Sequence, residues 1–378
     1  MSAGLAFKID GKRLCTALPR AGQPLAIASS LGPSYNASFA RGNAVFDEVN
    51  ALEEKGRVFV LADKKVLDLY GARLKIRRER IFAAPADESF KTLRGVSRFL
   101  TFLDRSGAAR SDTLLVIGGG IMQDSGGFAS TIYKRGMHWV YVPTTLLSMS
   151  DSCVGAKTGI NFGSAKNQLG VFAKPAAVLI DPRLLATLEH RHVRSGLGEV
   201  LKMCVIGGEK AMQLYAKDVH SALARDTAAL QRLIALSLSI KKAVVEEDEL
   251  EHGIRRALNY GHTVGHALEA LSNFRISHGE GVVLGMAAAN ALAVSQGLLS
   301  SKCAMELESC CVELCAGAKL PRINPEMLAG LLLKDKKNVG GKVFFVVPRK
   351  PGDMIYLQRE PGMALWRNIM DTLERLSA

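Results

Sequence analysis

An α/β chain of two domains, a largely parallel sheet wound with helices followed by a mainly α-helical half, is the fold class this sequence predicts. Three observations carry it. The 378 residues exceed what one hydrophobic core usually serves. From about residue 57, short apolar runs alternate with helical segments, the rhythm of parallel strands joined by crossover helices. After about residue 185 that rhythm stops and long amphipathic segments take over. Domains are therefore expected over 1–185 and 186–378.

In order, RVFVLAD (57–63), TLLVIGGG (113–120), HWVYVPTTLL (138–147) and AAVLIDP (176–182) read as strands, with a helical stretch near 88–107. TAALQRLIALSLSIKKAVVEEDE (227–249) and GVVLGMAAANALAVSQGLL (281–299) read as helices, and KVFFVVP (342–348) as one late strand. The first 55 residues show no clear period and are assigned only to the first domain.

The composition, 48% hydrophobic and 22% charged with 36 glycines, excludes a disordered or fibrous chain and suits a folded enzyme. MSAGLAFKIDGKRLC has a lysine where a signal peptide needs its apolar run, and no stretch of about 18 apolar residues occurs. A cytoplasmic protein with no membrane span is expected. The seven cysteines are odd in number, and Cys303, Cys310, Cys311 and Cys315 lack zinc-knuckle spacing, so reduced thiols are expected. A balance of 49 Lys and Arg against 36 Asp and Glu gives +13, which suits an anionic partner. Apart from KIRRER (75–80) and KDKK (334–337) the basic residues are scattered, without interleaved aromatics. That argues against nucleic acid and for phosphate-bearing metabolites.

TLLVIGGG ends an apolar run in three glycines ahead of a helix start. Such a turn lets backbone approach a pyrophosphate and offers it amide N–H groups, which makes Gly118, Gly119 and Gly120 candidates. A triple glycine is equally a tight turn. Asp63 closes the first strong strand, where a carboxylate accepts from a ribose or caps a helix. Thr144 and Thr145 fall at another strand end, the carboxyl edge where ligands bind.

LNYGHTVGHALEA (258–270) puts His262 and His266 four apart on one helical face, and SHGEG (277–281) adds His278. Two of the three suit a metal, with packing as the alternative. Thr263 stands where a zinc protease of the HExxH type needs glutamate, which excludes that class. Catalytic metals usually take three protein ligands, and Glu199, in the apolar SGLGEVLK (195–202), is the candidate carboxylate; a helix-dipole role is its alternative. The stretch 143–172 is long, glycine-rich and aperiodic, as functional loops are, and carries Asp151, Lys157, Asn161, Lys166 and Asn167. Lys241, Arg255 and Lys336 add cations near the histidines.

GGG followed by Asp124, RG then VPTTLL, DSCVGAKTGIN, KNQLG, GEVLK, LNYGHTVGH, HGEG and DKK stand in the order and approximate spacing of one family. Over about 57–348 the chain resembles the dehydroquinate synthases and their sugar-phosphate cyclase relatives. The resemblance implies a Rossmann-like NAD-binding domain joined to a mainly α-helical metal-binding domain, with substrate in the cleft between them and a homodimeric assembly. It implies Glu199, His262 and His278 as ligands of a divalent metal, zinc first and cobalt next. Asp63, Glu88, Lys91, Gly119, Gly120, Asp124, Thr144, Thr145 and Lys166 fall to the nucleotide side. Lys157, Asn167, Asn259, His266 and Lys336 match positions that bind phosphate and neighbouring hydroxyls, and Asp151 and Lys202 positions around the reacting hydroxyls. Arg135 matches an arginine supplied across the dimer. The implied cycle oxidises a ring alcohol with NAD, eliminates phosphate, reduces the ketone again, and opens and recloses the ring by an aldol step.

Lys241 and Arg255 match the cations that hold the carboxylate of deoxy-arabino-heptulosonate phosphate, which points to the dehydroquinate reaction. Against this, Gln123 replaces a usual glycine, Cys153 and Ala156 alter the usual DSSVGGK, NFG follows Asn161, and VFDEVNALEEKG resembles sedoheptulose phosphate cyclases. An epi-valiolone synthase type is therefore the alternative. A metal-dependent polyol dehydrogenase is the alternative of another class.

Overall fold

In the computed structural model, the structure describes residues 4–20, 22–40, 45–163, 165–273, 275–315, 323–333, 338 and 340–377. The chain forms two compact units, one of Pro19–Leu188 and one joining Met1–Leu18 to Glu189–Ala378. The expectation that the whole N-terminus belongs to the first domain is thereby corrected. Strand β1 (Gly4–Ile9) folds back on β2 (Lys12–Ala17) through Asp10 and Gly11, both at positive φ, as a two-residue hairpin turn requires. Leu5, Phe7 and Ile9 alternate inward along β1. This strand pairs in parallel with a strand near the C-terminus, so distant pairing, not sequence neighbourhood, decides its unit.

The unit 19–188 runs β3 (Leu25–Ile27), β4 (Tyr35–Phe39), α1 (Val45–Lys55), β5 (Val58–Asp63), α2 (Lys64–Tyr70), β6 (Ile81–Ala84), α3 (Leu93–Arg105), β7 (Thr113–Gly118), α4 (Gly120–Ile132), β8 (His138–Pro143), β9 (Lys157–Phe162), β10 (Ala165–Phe172) and β11 (Ala177–Ile180). Seven strands form a sheet in the order β3-β4-β11-β8-β7-β5-β6, parallel except at β3. Val58–Ala62 and Leu114–Ile117 are buried throughout, as strands covered on both faces must be. From β5 the chain goes to β6 on one side and to β7 on the other, so the winding reverses between β5 and β7. In doubly wound sheets ligands bind at the carboxyl ends of such a strand pair. The stretch 143–172 is more ordered than its sequence suggests: a π-type turn at Ser148–Ser152 leads into the antiparallel hairpin β9–β10.

The other unit contains α5 (His190–Gly207), α6 (Glu209–Leu223), α7 (Thr227–Glu247), α8 (His262–Leu271), α9 (His278–Ser295), α10 (Ser301–Cys315) and α11 (Pro325–Leu333), then β12 (Val343–Lys350), β13 (Asp353–Arg359) and α12 (Met363–Ser377). Strand β13 is an addition to the sequence reading. It lies between β12 and β1 in a sheet ordered β12-β13-β1-β2. Among the described residues no helix is long and apolar enough to cross a membrane.

Candidate nucleotide and metal centres

At the reversal point of the sheet, β5 ends in Asp63 and β7 in Gly118. A Cβ built on Gly118 would stand 3.4 Å from that of Asp63 and 2.4 Å from Met122 Cγ, and Gly118 has φ +154°, so a side chain there is barred by space and conformation alike. Gly119 caps α4 with no side-chain hydrogen bond, and around Gly120 there is open space. The first amides of α4 are thus left to attract an anion, which fits a pyrophosphate. Thr144 donates its N–H to Gly118 O at 3.0 Å, and Tyr141 OH donates to the same oxygen at 3.0 Å. A Cβ on Gly119 would meet Thr145 Cγ2 at 3.0 Å. Asp63 caps α2, accepting from Lys65 N at 2.9 Å, and burial raises its pKa against that bond. The capping alternative is therefore realised at this residue.

A polar network joins the 88–91 turn to α4 and the hairpin. Lys91 pairs with Asp124 at 2.5 Å, and Asp124 accepts from Gly159 N at 3.1 Å. Glu88 accepts from Asn161 Nδ2 at 2.6 Å and from Lys166 Nζ at 2.8 Å. Burial opposes ionisation of Glu88, but Lys166 and Asn161 hold its carboxyl below the ordinary range. Asn167, at φ +50°, donates its N–H to Asn161 Oδ1 at 3.1 Å. Lys157 is exposed at the start of β9, Asp151 is buried in the π-type turn, and Arg135 is exposed at φ +62°. Gln123 clasps that turn: its Nε2 donates to Ser152 O at 2.7 Å and its Oε1 accepts from Ser152 Oγ at 2.6 Å.

In the helical unit, Glu199 lies in the third turn of α5, so the helix-dipole role given as its alternative is corrected. It is buried and forms an ion pair with Lys202 one turn on. Its Oε1 faces His278 Nε2 at 3.1 Å and His262 Nε2 at 3.6 Å. His262, His266 and His278 offer ring nitrogens within 4.8 Å of one another. Close helix approach assembles this group. A Cβ on Gly279 would stand 1.8 Å from Ser195 O, so α5 and the first turn of α9 touch backbone to backbone. Gly279 N also donates to Ser195 Oγ at 3.0 Å. The start of α9 is fixed by Glu280, which accepts from Ser277 N at 2.7 Å as the far half of a capping box.

The outer nitrogens are engaged as well. His262 Nδ1 meets Tyr260 O at 3.2 Å and His278 Nδ1 meets Glu269 Oε1 at 2.9 Å. Burial alone would push His278 down, but the carboxylates of Glu199 and Glu269 at its two nitrogens raise its pKa to about 10. One carboxylate with imidazole nitrogens suits zinc or cobalt. Glu269 is absent from the sequence-based set; its place at 262, 266 and 269 on one helical face is the signal that finds it.

Lys241 is buried in α7, and Arg255 in the 3-10 turn Ile254–Asn259, where its Nη1 donates to Glu249 O. Asn259 Nδ2 donates to Glu251 Oε1 at 2.9 Å. His266 is exposed beside His262. Lys336 lies outside the described residues.

Comparison with solved structures first places the fold. A 2-deoxy-scyllo-inosose synthase complexed with carbaglucose-6-phosphate, NAD+ and Co2+ matches with a TM-score of 0.82 at 23% identity, over 92% of this chain and 100% of that one. The 2-epi-5-epi-valiolone synthase of Streptomyces hygroscopicus, with NAD+ and Zn2+ bound, matches at 0.77 and 27% identity, over 93% and 99%. The fold is that of these cyclases. Models of the 3-dehydroquinate synthase N-terminal and C-terminal regions match residues 81–195 and 196–338. The 3-dehydroquinate synthase of Dictyoglomus thermophilum is 38% identical over 296 residues, 78% of this chain and 83% of that one. The chain belongs to the 3-dehydroquinate synthase family.

Proposed function

We propose that this chain is a carbon–oxygen lyase of the 3-dehydroquinate synthase type, converting deoxy-arabino-heptulosonate phosphate to dehydroquinate with release of phosphate. The observation that carries the reading is 38% identity, over 78% of the chain, to a protein named for that activity. When bound, NAD supplies reversible hydride exchange at a ring alcohol, acidifying the adjacent C–H for loss of phosphate, and a divalent metal, zinc or else cobalt, supplies Lewis acidity at oxygen.

The chain's own groups orient and neutralise. Glu199, His262 and His278 hold the metal. Lys202, paired to Glu199, keeps a positive charge beside the ligand set, where alkoxide charge develops. Lys241 and Arg255, buried cations, receive the substrate carboxylate, a group that sedoheptulose phosphate lacks. Lys157, Asn167, His266 and Lys336 bind phosphate, and Asn259 and Asp151 the hydroxyls. Asp63, Glu88, Lys91, Gly119, Gly120, Asp124, Thr144, Thr145 and Lys166 serve NAD, the first amides of α4 taking its pyrophosphate.

We further propose a homodimer in which Arg135 reaches the partner's site, working in the cytoplasm, a setting that suits seven cysteines outside any disulfide.

Cyclisation of sedoheptulose phosphate is the second reading, favoured by the 27% identity to 2-epi-5-epi-valiolone synthase over 93% of the chain. Phosphate release from each sugar phosphate, with catalytic NAD and added zinc or cobalt, separates the two. Release from the heptulosonate alone, with dehydroquinate as product, is expected. Release from sedoheptulose phosphate alone transfers the function to the second reading, and net reduction of NAD without phosphate points to a polyol dehydrogenase.

A further inference from the structure

We propose that Glu269 is a positioning residue of the metal centre: its carboxylate fixes the tautomer and orientation of His278 so that the Nε2 lone pair is presented to the cation beside Glu199. This deepens the metal reading and rests on it. An imidazole carries its nitrogens on opposite edges. Glu269 Oε1 takes the Nδ1 edge of His278 at 2.9 Å, and the Nε2 edge looks at Glu199 Oε1, 3.1 Å away. A carboxylate accepts and does not donate, so without a metal each edge holds a proton; a cation taken up at the Nε2 edge displaces that proton, and the one that remains sits on Nδ1 against Glu269, leaving the lone pair on Nε2.

His262 is treated the same way by a different group. Its Nδ1 meets Tyr260 O at 3.2 Å, and a backbone carbonyl can only accept. Two independent acceptors therefore enforce one tautomer in both rings, with both Nε2 atoms turned toward Glu199. The acceptors differ in charge. The carboxylate on His278 makes that imidazole the more basic ligand, whereas the neutral carbonyl on His262 only orients it.

Glu269 is placed for this by secondary structure. It lies two helical turns from His262 and one from His266 on α8, and a Cβ on Gly281 would stand 3.4 Å from its Cγ, so its stem lies directly over the first turn of α9. Only 8% of the residue is exposed. Burying a carboxylate is costly unless it is paired, and the imidazole is its partner.

The test measures metal binding by the NAD-loaded enzyme, with Zn2+ against a competing chelator and with Co2+ through its visible absorption bands. Glu269→Ala is expected to weaken binding by about 10–100-fold and to shift the cobalt bands, Glu269→Gln to fall between it and wild type, and each to weaken metal binding by more than it weakens folding of the metal-free protein. Zinc affinity within about 2-fold of wild type in both variants overturns the proposal. So does a loss of metal matched by an equal loss of metal-free stability, which marks a merely structural tie. Should neither variant fold, the zinc-loaded wild type decides. Histidine-labelled NMR must place the His278 proton on Nδ1, and a proton on Nε2 overturns the assignment. Glu199→Ala separates the two levels: if it too keeps full metal, the metal reading itself fails; if it alone loses metal, only the role of Glu269 does.

Discussion

A methyl group on Gly279 tests how the metal centre is built. The added Cβ would stand 1.8 Å from Ser195 O, 2.5 Å from Ser195 C and 2.6 Å from its Cα, all backbone atoms of α5, so no side-chain rotation relieves the clash. Bringing the shortest contact out even to 3.0 Å parts the helices by about 1.2 Å. His278 adjoins the new methyl and Glu199 rides on the helix that yields, so their 3.1 Å approach stretches beyond about 4 Å. Overpacking of this kind costs about 1–3 kcal/mol, here at the upper end, and the hydrogen bond from Gly279 N to Ser195 Oγ adds about 1 kcal/mol. At roughly 2–4 °C per kcal/mol for a unit of this size, Gly279→Ala should lower Tm by about 6–16 °C. Bound divalent metal, measured by elemental analysis, should fall at least about tenfold. Gly330→Ala on α11, which meets nothing within 4 Å, is the control and should be neutral or more stable by up to about 1 kcal/mol. A Gly279→Ala protein with full metal content and Tm within about 2 °C of wild type would refute the reasoning.

Glu199→Ala, His262→Ala and His278→Ala should each lower metal content and activity together; a variant that keeps both leaves the ligand set. Lys241→Met should harm turnover of a carboxylate-bearing sugar phosphate far more than of sedoheptulose phosphate, and equal loss on both counts against the carboxylate role. Gln123→Gly removes two hydrogen bonds and places glycine inside α4, a cost of roughly 2–4 kcal/mol. It should speed exchange of Cys153 N–H, which is bonded to Ser148 O across the π-type turn; unchanged exchange means the clasp does not hold that turn. Burial opposes ionisation of Asp248, yet the amides of Arg255, Gly253 and His252 hold its carboxyl below the ordinary range. Its stabilisation is therefore present above the unfolded carboxylate pKa of about 4 and is lost as pH falls through the lower folded value. Urea unfolding should show Asp248→Asn weaker than wild type near neutrality, with the gap closing below about pH 4; a gap that widens with acid contradicts the shift.

What was legible in the sequence is what local pattern controls. Runs such as VFVLAD and TLLVIG are apolar without interruption because they are covered on both faces, and they appear as β5 and β7 at the reversal of the sheet. Distant pairing is what pattern hides. Nothing in GLAFKI says that its partner is DMIYLQR more than three hundred residues later, so β1 and β13 escaped a reading made along the chain. The 143–172 stretch looked irregular because β10 alternates weakly and is mostly exposed, giving the hairpin little apolar period to show.

The metal centre was half legible for a related reason. Spacing along one helix pairs His262 with His266, but a carboxylate from α5 and an imidazole from α9 join them only if three helices approach more closely than ordinary side chains permit. Each proposed ligand adjoins a glycine that removes such an obstacle. A Cβ on Gly198 would stand 2.8 Å from Gly279 O, one on Gly261 2.4 Å from Val282 O, and one on Gly279 1.8 Å from Ser195 O. The informative unit is thus the ligand with its neighbouring glycine, Gly198–Glu199, Gly261–His262 and His278–Gly279, rather than the interval between histidines. Glu269 needs no such neighbour, because it reaches the centre along the helix that already carries His262, and so only its spacing betrays it.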